Sequence, residues 1–340
     1  MSDTLRRRAA PHSASAKHEP QQAFSPIRKG PVLATPLDWL YAAVKLTRPH
    51  TIVHTTLAPM AVTAMALGGY GQLVHIPGDI WANLLLVQFG FMMANVWIVG
   101  INQIYDIDID QINKAELPLP AGILSIKQAW VIITTALMVG TSCIMLGTSN
   151  NLIRGLWAFG TFLGTLYSIP SVRGKNSAMY TCMAITFCRG VIFPTCIYAN
   201  VIDHFRPGAS YLAPDISYVI LFSIFWVLAI SIFKDLPDVK GDLAHGSSNT
   251  LPLTIGIPNT VRLCMAIMFS PLVFSMVLTP TTYMLIWHTT LAAVLAIGWA
   301  QMDYTSKASL TAFYRVVVWN SLYLEYLLLP VTASVARLAF

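Results

Sequence analysis

Long apolar segments constrain the fold of this chain more than any other feature. A helix needs about 20 apolar residues to cross a bilayer, and the sequence contains nine candidates of this kind. They lie approximately at 51–69, 80–101, 128–147, 153–170, 178–201, 216–233, 260–279, 282–300 and 310–333. Because backbone groups inside lipid must be hydrogen-bonded within their own segment, the sequence predicts an all-α fold, a multi-pass transmembrane bundle of about nine helices.

The composition excludes an ordinary soluble domain. Only 11% of the residues are charged, whereas soluble domains carry about 25%. The segment 1–45 is basic and lacks a long apolar run, and we expect a disordered cytosolic tail there. A transit peptide is the alternative for the arginine- and serine-rich start of this segment. Residues 46–340 form the predicted membrane domain, surrounded by lipid.

The distribution of basic residues predicts the orientation in the membrane. Sixteen of the 21 Lys and Arg residues fall on the side of the N-terminus, three fall on the other side, and Arg189 and Arg315 lie within spans. The positive-inside rule therefore places the N-terminus in the cytosol, which in a eukaryotic cell suggests the endoplasmic reticulum. The net charge of +6 reflects this flank, so we expect no nucleic acid partner.

The acidic residues are concentrated in two short polar segments. Six of the 15 Asp and Glu residues lie there, four membrane crossings apart and hence on the same side. In the first segment Asn102, Asp106 and Asp110 are spaced by four residues, which places them on one face of a helix. Asp108 lies about 200° away from Asp106 on the same helix, so we expect it to point elsewhere.

The second segment repeats this spacing with Asp238 and Asp242. Asp235 precedes them, and Pro237 predicts a break and restart of the helix. Like charges one turn apart repel each other, and a divalent cation is the natural compensation. Mg²⁺ prefers hard oxygen ligands and is usually held by one or two carboxylates together with substrate phosphates. The sequence thus favours a magnesium–diphosphate site over two solvated acidic loops without a ligand.

Basic residues near these segments are candidates for contacts with the diphosphate. Arg48, Lys114, Arg173 and Lys240 lie beside the predicted cytosolic ends of spans, where a role in topology or lipid binding is equally open. Arg189 is different because an ionised side chain inside a span is costly and usually faces the bundle interior. It either contacts a substrate or forms a structural ion pair with Glu325.

The two acidic sets resemble the motifs of the UbiA superfamily of intramembrane prenyltransferases. That family has nine helices, an NxxxDxxxD motif after helix 2 and a DxxxD motif after helix 6. The matching residues are Asn102, Asp106, Asp110, Asp238 and Asp242.

Longer motifs resemble the homogentisate-type branch of that superfamily. Residues 48–51 read RPHT, 102–122 are similar to NQxxDxxIDxxNKxxLPxxxG, and 234–242 are similar to KDxPDxxGD. Two departures are Ala115, where the branch favours proline, and His54, where it has a small residue. The similarity extends in order over about residues 45–260.

The resemblance implies an enzyme that ionises a prenyl diphosphate with Mg²⁺ and transfers the prenyl group to a phenolic acceptor. It implies metal binding by Asp106, Asp110, Asp238 and Asp242, with help from Asn102, and farnesyl diphosphate as a donor. Two alternatives remain open from the sequence. The first is a UbiA-type terpene cyclase that forms a cyclic sesquiterpene, and the second is a non-catalytic lipid transporter.

Overall fold

A computed structural model describes residues 35–172, 177–244, 250–278 and 281–338. All regular secondary structure among them is helical, as the apolar segments predict. The helices are α1 (Pro36–Leu46), α2 (Pro49–Leu67), α3 (Gly78–Tyr105), α4 (Ile107–Asn113), α5 (Ile126–Gly147), α6 (Asn151–Ser168), α7 (Ala178–Thr186), α8 (Phe193–Phe205), α9 (Pro214–Phe233), α10 (Val239–Ala244), α11 (Leu251–Ile255), α12 (Ile257–Leu278), α13 (Thr282–Ala300), α14 (Lys307–Ala312) and α15 (Trp319–Leu338).

The predicted spans coincide with the long helical segments. Within the described residues, six helices are long and apolar enough to cross a membrane. They contain α3, α5, α7 with α8, α9 with α10, α12 and α13. The other three predicted spans also correspond to helices, namely α2, α6 and α14 with α15. The count of nine is therefore approximate, and the all-α membrane architecture is confirmed.

The predicted boundary of the disordered tail, at residue 45, lies too far along the chain. Its last residues form α1, which begins with a capping box in which Thr35 and Asp38 bond each other's backbone N–H groups, and Pro36 occupies the first turn. Proline is favourable at that position because its missing N–H would have no partner there. The remainder of the tail, with the possible transit peptide, lies outside the described residues.

Small residues allow α3 and α5 to pack closely. A Cβ on Gly140 would lie 2.9 Å from Met93 Cβ and 3.2 Å from the Gly90 carbonyl oxygen. Close backbone approach through glycine is a common way for helices to associate in membranes. The two helices are thereby held in close contact near the middle of α3.

Two pairs of consecutive helices are each joined by a short π-helical segment. Phe187–Ile192 joins α7 to α8, and Phe313–Val318 joins α14 to α15. Short π-helical segments often mark functional sites because they displace side chains from their regular positions. Arg189 and Arg315, the two arginines within predicted spans, lie in these two segments, and both line the cavity described next.

Candidate active site

A cavity of about 1130 Å³ opens between the two acidic segments and extends into the bundle. Its mouth is polar and its interior is largely apolar. Its lining includes most of the residues that the sequence singles out, namely Arg48, Asn102, Asp106, Asp110, Lys114, Arg189, Asp238 and Asp242. Residues of the first and the second acidic segment thus line the same cavity.

The first acidic segment is a helix end followed by a restart, which corrects the expectation of one continuous helix. α3 ends at Tyr105, and α4 begins at Ile107. Asp106 lies at the junction with φ −114° and ψ 13°, and its carboxylate accepts a hydrogen bond of 2.8 Å from the Asn102 side chain. Asp108 is exposed and does not line the cavity, as the helical spacing predicts.

The helix of the second acidic segment is interrupted around Pro237, as the sequence predicts. α9 ends at Phe233, a 3₁₀ turn covers Leu236–Asp238, and α10 follows. α10 packs against α4 of the first segment. The close approach depends on Gly241, since a Cβ at that position would overlap the Asn113 side chain.

Two residues of the first segment connect it directly to the second. Lys114 forms an ion pair with Asp238, and its ammonium lies 3.7 Å from Asp110 Oδ1. Asn113 donates a hydrogen bond of 3.3 Å to Asp242 Oδ1. A cation therefore stands between the two carboxylate sets.

Asp110 is the most buried of the acidic residues at the mouth of the cavity. It is 3% exposed, and Arg48 Nη2 lies 3.6 Å from its Oδ2. Burial raises the pKa of the Asp110 carboxyl, while Lys114 and Arg48 counteract this shift. Arg48 has a φ of 53°, a left-handed conformation that is unfavourable for a side chain of this size and is typical of functional sites.

The acidic residues fit a divalent cation. Asp110 Oδ2 accepts no hydrogen bond although it is buried, and all the donor atoms are hard oxygens of the kind Mg²⁺ prefers. No group of three or more His, Cys, Asp or Glu side chains among the described residues is arranged to hold a metal by itself. A magnesium ion at this mouth would thus need ligands from a substrate as well.

Arg189 and Glu325 do not form the ion pair that was one alternative for them. Arg189 Nη2 donates a hydrogen bond of 2.7 Å to Asn95 Oδ1 and lines the cavity. Glu325 accepts hydrogen bonds of 3.0 Å from Tyr218 and 2.8 Å from Trp287. Each charged group therefore has hydrogen-bond partners other than the predicted one, and Glu325 also lies 3.3 Å from His288 Nε2.

Of the predicted diphosphate contacts that the structure describes, Lys240 lies outside the cavity. Lys240 is exposed and does not line it, because the helix restart turns its side chain outward. Arg173 lies outside the described residues.

Two further lysines, Lys234 and Lys307, also line the cavity. Lys234 pairs with Asp235 at 2.7 Å and also contacts the Tyr167 hydroxyl at 3.4 Å. Lys307 donates a hydrogen bond of 2.7 Å to the Asn113 carbonyl oxygen and so links α14 to the first acidic segment. Lys234 can be proposed from the sequence because it directly precedes the second acidic segment, whereas no motif in the sequence points to Lys307.

Comparisons with known proteins show which family this chain resembles in sequence and fold. The model of the UbiA prenyltransferase family matches residues 56–322. The chain is 35% identical to a homogentisate phytyltransferase of Synechocystis over 84% of this chain and 93% of that protein. It is 32% identical to a chloroplastic homogentisate solanesyltransferase of Arabidopsis thaliana over 88% and 78%. A UbiA homolog from Archaeoglobus fulgidus, solved with GPP and Mg²⁺, shares the fold with a TM-score of 0.58, at 16% identity over 86% and 99%.

Proposed function

The chain belongs to the UbiA prenyltransferase family, and we propose that it transfers a prenyl group from a diphosphate to a phenolic acceptor in the cavity. The observation that carries this function is the contact between the two acidic segments, through Lys114 and Asp238. This contact gathers carboxylates, an amide and cations at the mouth of an apolar chamber. Such a mouth suits the charged end of a prenyl diphosphate, and the chamber suits its hydrocarbon chain.

We assign the metal ligands to Asp106 and Asp110 in the first segment and to Asp238 and Asp242 in the second. A bound Mg²⁺ would neutralise the diphosphate and make it a better leaving group. Asn102 holds the Asp106 carboxylate through its hydrogen bond.

Cations at the mouth provide the remaining charge compensation in this proposal. Lys114, Arg48 and Lys234 line the cavity beside the carboxylates and are our candidates for direct contacts with phosphate oxygens. A lysine acts there as a point charge, and an arginine can bond two oxygens at once. We do not include Lys240, because it is exposed.

The apolar part of the cavity protects the prenyl cation. Phe91, Ile98 and Phe193 are among its lining residues. Exclusion of water prevents hydrolysis of a reactive intermediate, and aromatic faces stabilise positive charge. The chamber therefore allows the cation to reach the acceptor before it meets water.

Transfer to an aromatic acceptor is favoured over the two alternatives. The two curated relatives compared above are named as homogentisate prenyltransferases, which favours neither a cyclase nor a non-catalytic transporter. Homogentisate is accordingly our first candidate for the acceptor. The names of those relatives mention phytyl and solanesyl groups, so farnesyl diphosphate is one donor to test among several.

The protein is an integral membrane protein, and its orientation is a proposal. We place the N-terminus and both acidic segments in the cytosol on the basis of the basic residues. The endoplasmic reticulum receives no support from the relatives, since the compared plant protein is chloroplastic and the other is bacterial.

Purified protein incubated with homogentisate, Mg²⁺ and a series of prenyl diphosphates tests this function. We expect a prenylated phenol, detected by mass spectrometry, and release of one diphosphate per product. A cyclic hydrocarbon formed without consumption of phenol would establish the cyclase instead.

A further inference from the structure

One histidine in the cavity has unsatisfied hydrogen-bonding capacity. His54 lies on α2, two turns into the bundle from Arg48, and it lines the cavity. Its side chain is 1% exposed, and neither ring nitrogen has a hydrogen-bond partner. Buried polar groups in folded proteins are almost always bonded, and an unpaired one costs about 1–3 kcal/mol. The position therefore indicates a ligand.

Aromatic rings hold this imidazole in place. The rings of Phe193, Trp319 and Tyr326 lie at centroid distances of 5.8, 6.0 and 5.5 Å from it. These neighbours belong to α8 and α15, so the histidine is fixed by two other helices. They supply contacts to the ring faces and edges but no hydrogen bond to its nitrogens.

Arg189 provides a second unsatisfied group in the same cavity. Its Nη1 is buried and has no partner, whereas its Nη2 is bonded to Asn95. The Asn95 amide in turn donates a hydrogen bond of 3.0 Å to the Thr51 hydroxyl. Thr51 and His54 lie one turn apart on α2, so this chain of bonds links the guanidinium to the helix that carries the imidazole, and both groups line the same cavity.

Building on the proposed function, we infer that His54 and Arg189 form the subsite that binds a phenolic hydroxyl of the acceptor. A neutral imidazole offers one donor and one acceptor, and a guanidinium offers only donors. A hydroxyl can donate to the imidazole and accept from the guanidinium, whereas a hydrocarbon chain can satisfy neither. A phenol that donates to the imidazole also gains electron density in its ring, which favours attack by that ring on the prenyl cation.

Binding of homogentisate without any donor isolates this subsite from the metal site. We would measure it by calorimetry on the full-length protein in detergent. His54→Phe keeps a ring among the aromatic neighbours but removes both nitrogens, and we expect the Kd for homogentisate to rise about tenfold, the effect of one lost hydrogen bond. His54→Gln restores a donor and an acceptor and should recover part of the affinity. His75→Gln is the control, because His75 is exposed and outside the cavity.

The dimethyl ether of homogentisate tests the hydroxyl itself. It cannot donate a hydrogen bond, so the wild type and His54→Phe should bind it with the same Kd. A tenfold loss for the ether in His54→Phe would show that the effect comes from packing and would overturn the inference. Unchanged homogentisate affinity in His54→Phe, or a change only in the preferred length of the prenyl donor, would overturn it as well.

The same proteins separate this inference from the function on which it rests. If the wild type prenylates homogentisate while His54→Phe retains the wild-type Kd and acceptor KM, the subsite is wrong and the proposed function stands. If the wild type neither binds nor prenylates homogentisate, the proposed function fails for this acceptor and the inference fails with it.

Discussion

Lys114 forms an ion pair with Asp238, 124 residues further along the chain. The same ammonium lies 3.7 Å from Asp110. Like-charged carboxylates from two segments are thus brought together around one cation. This arrangement explains how the mouth of the cavity remains assembled, and it places a lysine where the diphosphate of the donor is proposed to bind.

Replacement of Lys114 should weaken binding of the donor. We expect Lys114→Met to raise the KM for the prenyl diphosphate at least ~10-fold, since a charge-assisted hydrogen bond contributes about 1.5–3 kcal/mol. Steady-state kinetics with a saturating acceptor measure this. Lys240→Met is the matched control, because Lys240 is exposed, and it should change the KM less than twofold. Equal effects of the two variants would contradict the assignment.

The contact between Gly241 and Asn113 should be sensitive to a single methyl group. A Cβ at Gly241 would overlap the Asn113 side chain, so Gly241→Ala should separate α10 from α4 and reduce kcat/KM at least ~10-fold. Gly155→Ala is the control, since a Cβ there has no neighbour within 4 Å. Asn113→Ala alone removes the hydrogen bond to Asp242, so it is the reference for the double variant Gly241→Ala/Asn113→Ala. The double variant should be as active as Asn113→Ala if the overlap is the cause, and a further loss would point to a different role for Gly241.

Much of this site could be predicted from the sequence because its residues follow local periodicity. The four-residue spacing identifies Asp106, Asp110, Asp238 and Asp242, and Pro237 predicts the break between Asp235 and α10. The same spacing could not show that α3 ends at Tyr105, because the break there lacks proline and glycine.

Relationships between distant residues could not be predicted. Arg189 bonds to Asn95, 94 positions away, and the sequence offered Glu325 as an equally reasonable partner. Lys234 and Lys240 flank the same acidic residues in the sequence. Lys234 lines the cavity and Lys240 is exposed, a difference that depends on how the chain turns between α9 and α10. Which face of a helix lines the cavity likewise depends on helix packing, since several spans, α9 and α13 among them, are apolar on all sides.

Glu325 should contribute to stability and not to binding of the donor. Glu325→Ala removes the acceptor of the Trp287 indole N–H and the nearer of two partners of the Tyr218 hydroxyl, which also lies 3.4 Å from His288 Nε2. We expect a loss of about 2 kcal/mol in unfolding free energy, since buried unpaired groups cost about 1–3 kcal/mol each and polar contacts in membranes are often weaker. Thermal unfolding in detergent measures it, with exposed Asp79→Ala as the control. If the donor KM rises tenfold without loss of stability, Glu325 serves the site instead.

The orientation can be tested with engineered glycosylation acceptors in a microsomal translation system. Residues 206–213 connect α8 to α9 at the end of the bundle opposite the acidic segments. An acceptor sequence inserted there should be glycosylated, and one inserted in the tail should not. The reverse pattern would place the acidic segments outside the cytosol.

The most direct test of the metal–diphosphate site compares Asp110→Asn with Asp108→Asn while Mg²⁺ is titrated into metal-free enzyme. Both residues belong to the same short helix, but Asp110 is buried in the cavity and Asp108 is exposed. We predict no prenylation in EDTA, at least a ~100-fold loss of kcat/KM in Asp110→Asn, because a metal held at a leaving group contributes several kcal/mol, and near-normal activity in Asp108→Asn. Full activity of the wild type in EDTA, or equal losses in the two variants, would contradict the site.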